Sequence, residues 1–119
     1  MTPNQKAANA ILKHLRKSVE NNTTLKLTNG MRLHRNERLL YTECAVFAND
    51  LGSMSVVMQS DGALQAIVNT ARGTGIRYTL TKTTVDADTL AEISNILNTI
   101  ISQQQGPTID DVVTAALQG

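Results

Sequence analysis

The chain has one cysteine, no tryptophan, two prolines and three aromatic residues among its 119 positions. A lone cysteine, Cys44, closes no internal disulfide and builds no thiolate zinc site, so the core must be held by packing alone, as suits a reducing compartment. Three aromatics, Tyr41, Phe47 and Tyr78, make a poor stacking platform for single-stranded nucleic acid. With so little proline and only seven glycines, collagen-like and linker compositions are excluded. No apolar run approaches the ~20 residues that span a bilayer, because Asn, Thr, Ser, Gln or a charge interrupts every stretch. The first residues also lack the unbroken apolar segment of a secretory signal, so a cytoplasmic protein is expected. The glycosylation sequons at Asn21 and Asn22 then read as chance matches in an Asn- and Thr-rich chain.

What remains is 41% apolar residues and a net charge of only +1, the composition of an ordinary globular domain. A chain of this length buries roughly two thirds of its unfolded surface and folds most simply as a single domain over residues 1–119, with residues 105–119 as a candidate flexible terminal segment. The small total conceals a division. Residues 1–38 carry eight basic against two acidic side chains and both histidines, whereas residues 84–119 carry five acidic side chains and no basic one. Such polarity points to an anionic partner for the basic part, or to head-to-tail contact between copies.

Ala8, Ile11, Leu12, Leu15 and Val19 recur at helical spacing between Pro3 and about Glu20, with Pro3 suited to a first turn that needs no amide hydrogen. Lys6, Lys13 and Lys17 fall on the opposite side of that helix, Arg16 on its flank. Residues 24–35 alternate around Asn29-Gly30, a hairpin signal. A three-residue loop, Thr28-Asn29-Gly30, pairs Leu27 with Met31 and Leu25 with Leu33, and places Lys26 opposite Arg32, a repulsion that a bound anion would relieve. Residues 39–48 are apolar on both alternating sides and read as a strand covered on both faces, with a short helix as the alternative. A turn at 49–53 and a strand over 54–59 follow. Ser60 or Asp61 then caps a short helix over Ala63, Leu64, Ile67, Val68 and Ala71, closed by Gly73. Ile76, Tyr78 and Leu80 form one face of a further strand. Asp86 to Thr89 begins a helix that runs to about Gln103, with Thr89-Leu90-Ala91-Glu92 matching a capping box. Beyond Gln103–Pro107, Thr108 caps a last short helix with Asp110 and Asp111 in its first turn. Strands in a run, flanked by helices, predict an α+β fold: an antiparallel sheet of four to five strands packed on an N-terminal amphipathic helix and two C-terminal helices.

Chemistry-bearing patterns are sparse. Arg72-Gly73-Thr74-Gly75 lacks the third glycine of a dinucleotide loop and reads as a helix stop. His14 and His34 lie twenty residues apart, outside any ligand-spaced cluster. Cys44 sits within the most apolar strand, where burial keeps a thiol neutral. Asp86, Asp88, Asp110 and Asp111 are accounted for by helix starts, where carboxylates meet the positive end of the dipole. No motif implies a cofactor or a metal ion, and a non-enzymatic protein is expected.

Two features carry the functional expectation. Lys6, Lys13, Lys17, Lys26 and Arg32 form a candidate surface for an acidic partner. Leu90, Ile93, Leu97, Ile100 and Ile101, on a helix almost without charge, form a candidate oligomer interface. The Asn, Thr, Ser and Gln richness is similar to that of small accessory proteins of phages and mobile elements. The expectation is therefore a small protein-binding or adaptor domain that associates with itself and has no membrane segment. The alternative is a nucleic-acid-binding regulator using the same basic residues on helix and hairpin.

Overall fold

The structure is a computed structural model and describes residues 1–104 and 109–119. Its element order is α1 (Pro3–Glu20), β1 (Leu27–His34), β2 (Glu37–Asn49), β3 (Gly52–Gln59), β4 (Leu64–Thr70), β5 (Gly75–Leu80), α2 (Ala87–Gln104) and α3 (Ile109–Gln118). The five strands form one antiparallel meander in the order β1-β2-β3-β4-β5, so the fold is α+β with the expected division of helices.

Thr2 caps α1: its hydroxyl accepts from the Gln5 N–H at 3.0 Å and donates to the Thr84 carbonyl at 2.8 Å, tying the helix start to the chain after β5. Pro3 follows in the first turn. The stripe Ala7, Ala8, Ile11, Leu12 and Leu15 is buried, and the helix lies across β2, β3, β4 and β5. Val19, expected on that stripe, is 58% exposed; Ser18 is the residue that closes it, donating to the Thr23 carbonyl.

The register gives the sheet two different faces. Towards α1 point Leu27, Cys44, Val56, Ala66 and Tyr78, which align across all five strands, with Met58, Leu64 and Leu80 beside them. The opposite face carries Arg32, Leu39, Tyr41, Glu43, Gln65 and Arg77, and among the described residues no helix packs against it. α2 runs the same way as α1. Its start is fixed by the Asp86 N–H donating to Gln5 Oε1 at 2.7 Å, its end by Gln104 Nε2 donating to the Leu25 carbonyl at 2.8 Å. Ile93, Leu97 and Ile100 of α2 join the core that α1 and the sheet share.

Four local expectations are corrected. Asn29-Gly30 is not a turn but lies inside β1; the hairpin turns at Arg35-Asn36, both in the left-handed region, with Leu27 opposite Cys44 and Met31 opposite Leu40. This register gives Leu27 a core contact and sets Arg32 against Leu39 instead of Lys26, which removes the like-charge pair. Gly30 serves close approach, since a side chain there would overlap the Tyr41 ring. Residues 64–70 form β4 instead of a helix. Their apolar spacing fits both periods, and Leu64, Ala66 and Val68 alternating with Gln65 and Ile67 complete the row between β3 and β5. Asp61 accordingly accepts from the Ala63 N–H in a hairpin turn rather than capping a helix. β2 is covered on one face only, with Leu39 and Tyr41 on the uncovered side, and even on the α1 side Leu40 and Phe47 stay partly exposed. Finally, α2 starts at Ala87, within the expected Asp86 to Thr89, but without the capping box: the Asp86 carbonyl accepts from the Leu90 N–H, and Glu92 pairs with Arg16. The proposed breaker over residues 103–107 falls largely, and the Thr108 cap entirely, outside the described residues; Ile109–Gln118 is helical.

Candidate functional site

The outer side of α1 carries the cationic surface. Lys6, Lys13 and Lys17 are exposed there, and Lys13 and Lys17 line an open groove of about 650 Å³ together with Asn9, Arg16, Glu20 and Asn21. Arg16 is already engaged: its guanidinium makes a two-pronged pair with the Glu92 carboxylate, Nε donating to Oε1 at 2.8 Å and the second nitrogen donating to Oε2. That bond raises the Arg16 pKa and holds the Glu92 carboxyl below the usual carboxylate range. His14 lies against Phe47 with ring centroids 5.0 Å apart; burial, and then the charges of Lys13 and Lys17, lower its pKa.

The five basic residues do not form one patch. Leu27 points towards α1, so Lys26 and Arg32, one and five positions away, point to the opposite face of the sheet. A single flat anion cannot touch both sets. The candidate interface on α2 is also largely spent inside the chain. Ile93 is fully buried, Leu97 is 1% exposed and Ile100 is 8% exposed, all within the core; Leu90 and Ile101 are half-buried.

The apolar surface left over lies elsewhere. On α3, Ile109 (86% exposed), Val112, Val113 and Leu117 (84%) recur at positions i, i+3, i+4 and i+8, and no residue of the helix is buried. Its first turn adds Asp110 and Asp111, and it has no basic residue. That spacing is legible in the sequence itself. A second open surface needs the register to be seen: Phe47, Met54, Val68 and Ile76 are cross-strand neighbours on the α1 face of β2 to β5. They lie on the flank of α1 away from Arg16 and α2. There Pro3, Lys6, Ala7 and Ala10 meet Met54, Val68 and Tyr78 around an apolar hollow of about 460 Å³, and Ile76 beside it is half exposed. At the far end of the sheet the β1–β2 hairpin projects, exposing Met31, Leu33 and Leu40.

The groups considered for chemistry do not converge. Cys44 is buried at the middle of the sheet, which pushes its thiol up to about 11, and among the described residues no hydrogen bond joins it to His14 or His34. Among the described residues no group of three or more His, Cys, Asp and Glu side chains is placed to hold a metal ion. Gly73 lies in the turn between β4 and β5, with a strand before it and not the helix expected. Among the described residues no helix is long and apolar enough to cross a membrane. Comparison with protein-family models, curated proteins and solved structures finds no match to the chain.

Proposed function

We propose that this chain is a small, non-enzymatic protein-binding domain of the adaptor kind that associates with itself. The observation that carries this reading is α3: a ten-residue amphipathic helix whose entire apolar stripe is exposed. A helix this short gains little from its own hydrogen bonds in water, since nucleation costs more than so few bonds return, and most helices of this length are held by packing an apolar face. Its stability therefore calls for a cover from outside the fold. The division of charge supports the same reading, because the acidic tail complements the lysines of α1. The interface moves accordingly from α2 to α3. A composition similar to that of small phage and mobile-element accessory proteins is in keeping with a small adaptor.

The acidic partner expected from sequence is best served by Lys6, Lys13 and Lys17 alone, a third of a turn to a full face away from the core stripe. A nucleic-acid-binding role draws less support, because Lys26 and Arg32 face the other way. Light scattering from 5 to 500 µM, with pull-downs from a relevant lysate, tests the proposal. It expects a mass that rises with concentration above the 12.9 kDa of one chain. A strict monomer across the range that also captures no protein would overturn it.

A further inference from the structure

Resting on the self-association just proposed, we infer that the apolar stripe of α3 from a second copy of this chain seats in the open hollow between α1 and the row Phe47, Met54, Val68 and Ile76, each copy receiving the other's helix. Dimensions fit first. Ten helical residues extend about 15 Å at 1.5 Å each, and a row crossing four strands spans about 14 Å at ~4.8 Å per interval. The hairpin patch of Met31, Leu33 and Leu40 belongs to two strands only and is too narrow for the same stripe.

Orientation fits next. α1 already crosses β2 to β5, so a helix laid beside it on the open flank follows the row. Charge fits as well: on that flank α1 presents Lys6, which lines the hollow, and Lys17, which lines a smaller hollow of about 220 Å³ with His14 and Val46, whereas α3 brings only carboxylates. Among the described residues no α3 side chain lines the hollow of its own chain and no α3 residue is buried, so the matching surfaces remain available to another copy. Exchange between two copies is isologous and closed, which uses both surfaces twice and leaves neither exposed.

Disulfide trapping tests the seat. Ile76→Cys with Val113→Cys places thiols on two half-exposed positions, while buried Cys44, with its raised pKa, stays inert to mild oxidation. A cross-linked species of twice the chain mass under mild oxidation is the expected result. A cross-link within one chain would mean that α3 folds back into its own hollow, and would overturn the exchange. No cross-link from a protein that is nevertheless dimeric would overturn the seat while leaving self-association standing; a strictly monomeric protein with no cross-link would remove both. An independent arm uses Val113→Asp with Leu117→Asp in one chain and Ile76→Asp in another. Each alone should raise the dissociation constant roughly 100-fold or more, and mixing the two should restore a heterodimer with one intact seat. A mixture that stays monomeric, with both variants folded by circular dichroism, contradicts the exchange.

Discussion

Leu97 and Leu117 are leucines on successive helices, yet truncating them should have opposite consequences. Leu97 is 1% exposed and sits in the core shared by α1, α2 and the sheet, whereas Leu117 is 84% exposed. Leu97→Ala removes buried methyl groups and leaves a void that its neighbours close only in part, at a cost of about 2–5 kcal/mol. For a domain of this length 1 kcal/mol corresponds to roughly 4 °C at the midpoint, so the loss is about 8–20 °C. Leu117→Ala takes almost nothing from the monomer and should stay within about 0.5 kcal/mol when measured near 1 µM. At several hundred micromolar the wild-type midpoint should rise through association, and the variant should lose that rise. Thermal melts of both variants at both concentrations read all four values. Equal destabilisation by the two substitutions in dilute solution would refute the reasoning, because α3 would then be part of the subunit core.

The close approach at Gly52 is equally testable. A methyl group there would overlap the Asn69 carbonyl and meet Thr70 Cα at 2.9 Å, so Gly52→Ala should cost about 2–3 kcal/mol in urea denaturation. Gly62→Ala, with open space around it and only the left-handed backbone to pay for, should cost about 1 kcal/mol. With its pKa pushed up to about 11, native Cys44 should react with a thiol reagent at pH 8 roughly 100-fold more slowly than in the unfolded chain, on thiolate fraction alone; equal rates would place the thiol in water. Acid should act in two stages. His14 and Glu92 both have folded-state pKa values below their ordinary ones, so the unfolded chain takes up protons first and stability falls as pH falls, from about 6.5 downward for His14 and in the carboxylate range for Glu92. His14→Gln should flatten the first part of the stability–pH curve and Glu92→Gln the second; an unchanged curve in both would contradict the assignments.

Most of the architecture was legible because long amphipathic periods are hard to mistake. α1 starts and ends where its stripe and Pro3 place it, and the α+β class follows from strands in a run. The errors fall where two periods fit one short segment. Residues 64–70 satisfy a helix and a strand equally well, and only the need of β3 and β5 for a partner between them decides. Asn29-Gly30 carried a strong turn signal, but register is a property of two strands, and the better partner for residues 27–34 lay beyond Arg35-Asn36. Lys26 and Arg32 keep the face away from Leu27 and Met31 that either register gives them, but α1 packs on the Leu27 face, so the sheet stands between them and the α1 lysines; the basic surface was legible as charge and illegible as shape. The stripe on α3 could have been read from its spacing. The row proposed to receive it could not, because Phe47, Met54, Val68 and Ile76 come from four separate strands and become neighbours only through pairing.

Hydrogen exchange of the α3 amides, followed as a function of protein concentration, tests the central claim most directly. In dilute solution the amides of residues 109–118 should exchange almost as fast as in an open chain, while those of α1 and β3 stay protected; near 1 mM the α3 amides should slow by at least an order of magnitude. Protection of α3 that is already complete in dilute solution, or exchange that remains fast at every concentration, would contradict a helix stabilised by a second copy.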